Sequence, residues 1–360
     1  MFKRTATIAL ALAAIVGVTL AARPAGPWQD VLDQPASKSA FAERALINGL
    51  AHAGERIVAV GQRGHVLLSD DEGKTWRQAV VPASSDLVAV TFATPSEGWA
   101  VGHDGIVLHS KDGGTSWTRA LDGRQIGALM VEHYKREAAT FGDDKRAAAL
   151  LQEAERFGAQ GPENPFLDIA FENATTGYLV GAFGLILRTT DGGATWQPML
   201  HAIDNPKALH LYAVRAIGGE VYIAGEQGLF LKLDRSGPGG GLFKAIELPY
   251  KGTLFGIVGT DRVLLAYGLR GTVLRSTDAG RSWETVPTGV PVGLTAASID
   301  AKGRIVIASQ AGHVLVSTDN GQSFALAKLD KPLPAAAVAL AGPSTVVVGG
   351  PRGLAARALP

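Results

Sequence analysis

Short runs of β-branched and aliphatic residues recur along the chain, each followed by a glycine-bracketed turn, a second apolar run and a polar corner. Val60-Gly61-Gln-Arg-Gly64-His-Val66-Leu67, Val101-Gly102-His-Asp-Gly105-Ile-Val107 and Val180-Gly181-Ala-Phe-Gly184-Leu-Ile186 are three instances. Apolar runs this short, bounded by turn residues, predict strands and not helices. The polar corners share the pattern Ser/Thr-x-Asp-x-Gly-x-Thr/Ser-aromatic. Copies carry Asp71 and Trp76, Asp112 and Trp117, Asp191 and Trp196, Asp278 and Trp283, and Asp319 and Phe324. The Asp accepts from backbone N–H groups ahead of it, the Gly supplies a left-handed turn position and the hydroxyls tie the loop down. The aromatic then returns the chain to an apolar layer. Each copy is predicted to be a hairpin corner joining two strands.

The spacing counts the repeats. Successive corner aspartates lie 41, 79, 87 and 41 residues apart. The interval of 87 divides in two if Asp234 is a degenerate corner, with Lys232 in the hydroxyl place, Gly237–Gly241 lengthening the loop and Phe243 as the aromatic. The glycine turns run Gly61/Gly64, Gly102/Gly105, Gly181/Gly184, Gly225/Gly228, Gly268/Gly271, Ser309/Gly312 and Gly350/Gly353. Units of about 40 residues with several short strands match the blades of a propeller. The expectation is all-β, a seven-bladed β-propeller over residues 24–360. The seventh corner would fall at position 360, where the sequence stops. Trp28-Gln-Asp-Val31-Leu32 looks like the strand after Trp76, so the N-terminal strand is expected to close the last blade and remove an open edge.

Glycine turn and corner together carry a resemblance. Glu97-Gly98-Trp99-Ala-Val101-Gly102 and Thr176-Gly177-Tyr178-Leu-Val180-Gly181, each followed by its corner, resemble the photosystem II assembly and stability factor family of β-propellers, built on the Asp-box or BNR repeat. The resemblance covers nearly everything after residue 28 except one insert. It implies a non-enzymatic assembly or accessory factor for a membrane protein complex, with an arginine patch engaging the client. The turn arginines Arg63, Arg270 and Arg352 occupy the same place in blades one, five and seven, with Arg63 and Arg352 on adjacent blades. Two departures point to the relatives in non-photosynthetic bacteria, which are often encoded beside RND-type export pumps. One is the insert; the other is the lack of a cysteine for acylation.

The insert fills the long interval between the second and third corners. Ile126–Tyr134 and the run Ala147, Leu150, Leu151, Ala154, Phe157 predict two short helices over about residues 125–160, with Asp143 or Asp144 as a cap. It is expected to supply a partner-docking surface whose deletion, residues 125–160, leaves the thermal transition intact but abolishes partner capture; the alternative is packing as decoration on the propeller face. Lys3 and Arg4 precede an unbroken apolar run from Thr5 to Ala22, so residues 1–23 read as a signal peptide or a retained N-terminal anchor. Either places the propeller in the periplasm or secreted. With formal net charge +1 there is no footprint for nucleic acid, and with no cysteine there is no disulfide and no thiolate metal site.

Candidate chemistry is sparse, and no cofactor, metal or catalytic residue is expected. Asp-boxes occur in sialidases, yet no Arg-Ile-Pro segment marks one, and the motifs of zinc hydrolases, serine hydrolases and Walker nucleotide sites are missing. His65 and His313 share a column but stand on blades one and six. A glycan- or cell-wall-binding propeller is the second reading, with a sialidase-like glycosidase behind it. The innermost strands are expected to begin near Leu46, Leu87, Leu167, Leu211, Leu254, Leu294 and Val338, with Asp168, Tyr212, Phe255 and Thr295 facing a central channel of a monomeric propeller.

Overall fold

A computed structural model describes residues 29–141, 144–236, 240–329 and 331–359. It contains seven antiparallel sheets in chain order, six of four strands and a seventh of three. Blade one shows the pattern, with Ile47–Ala53, Arg56–Gly61, Val66–Ser69 and Arg77–Gln78 hydrogen-bonded in that order. The innermost strands are Ile47–Ala53, Leu87–Phe92, Phe166–Phe171, Leu211–Ile217, Leu254–Gly259, Leu294–Ile299 and Ala337–Leu340. Each packs beside the next, and the seventh packs beside the first, so the blades stand in a ring. The degenerate corner at Asp234 joins the third and fourth strands of blade four, as the spacing required.

The apolar core is a series of wedges between consecutive blades. The second strand of each blade is sandwiched by its neighbours, and Gly98–Gly102 and Gly177–Gly181 are buried throughout. Near-continuous apolar sequence in these strands follows from burial on both faces. The corners set the spacing of the wedges. In blade one the Ser69 hydroxyl donates to Asp71 (2.8 Å) and accepts from Gly73 N–H (2.8 Å). Asp71 also accepts from Thr75 N–H (2.9 Å) and its hydroxyl (2.6 Å). The same four bonds recur in the four other complete corners. Gly73 has φ +82, and a Cβ there would come within 2.4 Å of Val347 in blade seven. Gly193 likewise leaves no room between itself and Trp99 of blade two. The corner glycine is thus both the left-handed turn position and the point where one blade touches the one before it.

Strand alternation sorts the loops onto two faces. The Asp corners and the hairpins between first and second strands lie on one face. The Gly-x-x-Gly turns and the connections between blades lie on the other, here called the turn face.

Ring closure departs from the expectation. The seventh sheet consists of Ala337–Leu340, Thr345–Gly350 and Gly353–Ala358, and residues 29–46 add no strand to it. Trp28 and the leader, residues 1–23, lie outside the described residues. Residues 29–45 instead cross the turn face as a strap. Leu32 is buried in the wedge between blades one and two, with Val60, Val81, Leu87 and Ile106. Ser84 N–H donates to Val31 O (2.8 Å) and Ala36 N–H to Val81 O (3.0 Å). That apolar wedge is what Leu32 gains; beside Gly353–Ala358 it would have lain on an exposed outer edge. The ring closes by direct packing of blade seven on blade one, with Val347, Ala339 and Ala341 against Ile57, and His52 Nε2 2.9 Å from Leu340 O.

The insert forms two helices, α1 (Gly123–Arg136) and α2 (Asp144–Gln160). Asp122 caps α1 in a capping box with Gln125. Asp143 lies outside the described residues, and Asp144 begins α2. The helices cross where a Cβ on Gly127 would sit 2.3 Å from Gly158 Cα. Decoration is the wrong description. Ile126, Met130, Tyr134 and Phe157 share one buried cluster with Trp99 and Val107 of blade two and Phe166, Leu185 and Trp196 of blade three. Deleting residues 125–160 would strip that wedge of its outer wall.

Two outcomes follow. Met130→Ala should lose about 2–5 kcal/mol in urea denaturation, and the 125–160 deletion should lower Tm far more than any loop trimming; an unchanged Tm on deletion would restore the decorative reading. Acid should also weaken the ring. Hydrogen bonds from Thr75 hold Asp71 down to about 2, and those from Ser323 hold Asp319 down to about 2. A folded-state value below the unfolded one stabilises above about pH 4 and is lost as pH falls toward about 2. Thermal melts should therefore show Tm dropping steeply across that window; a flat Tm there contradicts the assignment.

Candidate functional site

The turn face carries the features that are not needed to hold blades together. Arg63 (φ 55) and Arg270 (φ 58) sit at left-handed positions in their turns, held out into solvent. Arg63 N–H donates to Asp86 (2.7 Å), which fixes the turn and leaves the guanidinium free to reach outward. In blade seven Pro351-Arg352 forms a two-residue hairpin between paired Gly350 and Gly353, so Arg352 is exposed in a different turn geometry. Gly353 packs on the backbone of Glu43 and Arg44 in the strap. Arg44 and Arg63 line one cleft of about 760 Å³ with Lys38 and Phe41. The structure therefore sets Arg63 and Arg352 on neighbouring blades with Arg44 between them. Arg270 stands apart on blade five.

Apolar exposure gathers on the same face. Among the described residues Phe41 is 67% exposed, Phe183 43%, Val31 37% and Leu269 36%, and these four lie in the strap or the glycine turns, whereas Val80 (65%) and Leu326 (54%) lie at the outer edges of blades one and six. The strap is anchored by Asp33, which pairs with Arg119 (3.2 Å) and Arg124 (2.8 Å). Those bonds, Arg124 foremost, hold the Asp33 carboxyl down to about 2. Nothing in the spacing of these residues announced the contact, which joins the strap to the stretch entering α1.

A central channel of about 380 Å³ opens between the innermost strands, and Asp168, Tyr212, Phe255 and Thr295 all line it as expected. Arg215 and Tyr267 join them. Asp168, 4% exposed, pairs with Arg215 and accepts from Val214 N–H (2.9 Å). Burial pushes the Asp168 carboxyl up while Arg215 opposes the rise, and burial pushes Tyr267 up to about 12. Tyr212 meets Phe255 edge-on at 5.5 Å. The Asp168–Arg215 pair links the neighbouring innermost strands of blades three and four across the channel wall, and the separation of the two residues along the sequence gave no sign of it.

The corner aspartates are consumed as structure. Each of the five complete-corner aspartates accepts from two hydroxyls and a backbone N–H within its own loop. His65 and His313 stand apart, the second held by Ser309 (3.0 Å). Among the described residues no group of three or more His, Cys, Asp or Glu side chains could hold a metal ion. No helix there is long and apolar enough to cross a membrane.

Comparison with known proteins then decides the family. The model for photosynthesis system II assembly factor YCF48 matches residues 33–131 and 160–286. The chain belongs to this family. The match leaves out residues 132–159, which lie within the insert. The photosystem II assembly lipoprotein Ycf48 of Synechococcus sp. (strain CC9902) is 29% identical over 161 residues, 44% of this chain and 48% of that protein. The alignment thus spans about half the length of that relative. The photosystem II stability/assembly factor HCF136 of Arabidopsis thaliana is 23% identical over 322 residues, 78% of this chain and 76% of that one. Among solved structures, YCF48 bound to a D1 peptide superposes with TM-score 0.61 at 20% identity, covering 88% of this chain and 94% of that chain. A GH74 enzyme of Niastella koreensis gives TM-score 0.62 at 14% identity over 87% of this chain and 52% of that chain. Likeness at such identity speaks to the propeller fold alone.

Removing one partner of the channel pair should be costly because the other is left uncompensated. Asp168→Ala is expected to lose about 2 kcal/mol in chemical denaturation, less than a fully buried pair because Arg215 keeps access to the channel. A loss no larger than that of a surface substitution would show the pair to be decorative.

Proposed function

We propose that the protein is a non-enzymatic assembly or accessory factor that accompanies a membrane protein complex outside the cytoplasm and docks on it through the turn face. Membership of the YCF48 family is the observation that carries this reading. The YCF48 structure with a D1 peptide supports a membrane protein as client, and the lipoprotein relatives support a location beyond the cytoplasmic membrane. In this chain residues 1–23 would serve as the signal or anchor in place of an acylated cysteine. An RND-type exporter is the proposed client.

The face is chosen by physics. The Asp-corner face spends its polar groups on its own loops, whereas the turn face presents outward arginines beside exposed Phe41, Phe183 and Leu269. Aromatic side chains flanked by arginine are the groups that carry binding energy when desolvated. Arg63, Arg270 and Arg352 are the proposed partner-binding residues, with Arg44 and Lys38 extending the first of them.

Solubilised membranes passed over the immobilised protein should retain an exporter subunit. The triple change Arg63→Glu, Arg270→Glu and Arg352→Glu should reduce that retention about tenfold or more with Tm unchanged. Retention equal to that of the unaltered protein would remove the turn face from the proposal; retention of no membrane protein by the unaltered chain would remove the client.

A further inference from the structure

The central channel is shaped by an irregularity that the innermost strands repeat. In blades one to six each of these strands slips by one residue against the second strand, near its turn-face end. The residues skipped are Asn48, Val88, Leu167, Tyr212, Phe255 and Thr295, and all six line the channel. A bulge takes a side chain out of the strand's alternation and re-aims it. Here it turns one side chain per blade away from the wedges and toward the axis. Blade seven pairs without a slip and contributes Ala337 and Val338 instead.

The resulting collar is uneven. Val88, Leu167, Tyr212 and Phe255 form an apolar and aromatic arc over blades two to five, and all four are only half-buried. Asn48 and Thr295 complete the ring and spend their donors on neighbouring backbone, Asn48 on Leu87 O (2.9 Å) and Thr295 on Ala335 O (2.7 Å). The arc therefore keeps apolar surface that no part of the chain covers. Apolar side chains facing an enclosed space, with a few placed polar groups among them, are the usual make-up of a small-molecule site.

Arg215 lies below the arc. It stands three residues further along its strand than Tyr212, about 10 Å deeper from the turn face. Its guanidinium gives only Nη1 to the protein, to Asp168 and to Val214 O (2.7 Å). Among the described residues Nε and Nη2 have no partner, and neither is sealed from solvent. The side chain is 41% exposed although it belongs to an innermost strand, so its exposure is to the channel. Nε–H and Nη2–H are the parallel donors that match the two oxygens of a carboxylate. Asp168, itself anchored by Val214 N–H (2.9 Å), holds the guanidinium in place through Nη1. Asp168 and Arg215 are the charged residues of the channel wall and offset each other. A multiply charged anion would find no further countercharge there.

We propose that the channel, entered from the turn face, binds a small free acid with one carboxylate and an aryl or branched aliphatic body. The carboxylate is held by Nε and Nη2 of Arg215, and the body packs on Val88, Leu167, Tyr212 and Phe255. A free acid fits better than a segment of polypeptide. The space of about 380 Å³ is walled by strands of all seven blades and is near the low end for small-molecule sites. Arg63, Arg270 and Arg352 take no part, so the site stands or falls without the proposed client-docking residues.

The test titrates the full chain with phenylacetate and, separately, with phenylacetamide, followed by ligand-observed NMR. Phenylacetate should bind with a dissociation constant of about 1 mM or tighter. Phenylacetamide should bind about tenfold more weakly or worse, because it lacks the charge and one of the two acceptors. Arg215→Lys keeps a cation beside Asp168 but loses the fork, and should weaken phenylacetate binding about tenfold. Leu167→Trp adds a ring at the bulge, inside the channel, and should abolish binding with Tm close to that of the unaltered protein. Absence of phenylacetate binding at concentrations well above about 1 mM would overturn the proposal. Equal binding of the amide, or undiminished binding by Leu167→Trp, would do the same. So would binding of a peptide ending in phenylalanine where phenylacetate itself gives none.

Discussion

The ring depends on how closely one blade can approach the next, and that approach is set at the Asp corner. A side chain on Gly73 or Gly193 would collide with the preceding blade, so the glycine fixes the inter-blade distance while the carboxylate four bonds deep in its own loop fixes the turn. Wedges of Val, Ile and Leu then fill the space that the corners leave. Seven such wedges share the burden of stability, and no single one is a conventional core.

This division of labour leaves one face chemically idle and the other available. Hydroxyl and carboxylate groups of the complete Asp corners are spent within each loop, as are the indoles of Trp76, Trp117 and Trp283. The turn face carries the connections, and connections tolerate elaboration. The strap and the helical insert are both built there, and both are tied into wedges: Leu32 into that of blades one and two, Met130 and Tyr134 into that of blades two and three. Asp33 joins strap to insert through Arg124. The two elaborations are therefore one continuous rim over blades one to three.

How much could be read in advance depended on the range of the interaction. The corner bonds span at most four residues, so the local pattern displayed Asp71, Asp112, Asp191, Asp278 and Asp319 with their roles. Seven turns and a regular interval gave the number of blades, and even the degenerate corner at Asp234 followed from spacing. The closing strand did not. Trp28–Leu32 resembles an outer strand, but a resemblance over five residues carries no information about which hydrophobic gap is open, and Leu32 went to the wedge between blades one and two. Likewise the insert's apolar stripe announced helices without saying what they cover.

The sequence by itself determined the repeat, the turn chemistry and thereby the all-β propeller, because those rest on contacts between near neighbours in the chain. Only the tertiary structure decided how the ring closes, which blades Asp168 and Arg215 join, and into which wedge the insert packs. Those pairings bring together residues dozens of positions apart, where the outcome is set by the competition of whole blades for burial and not by any local preference.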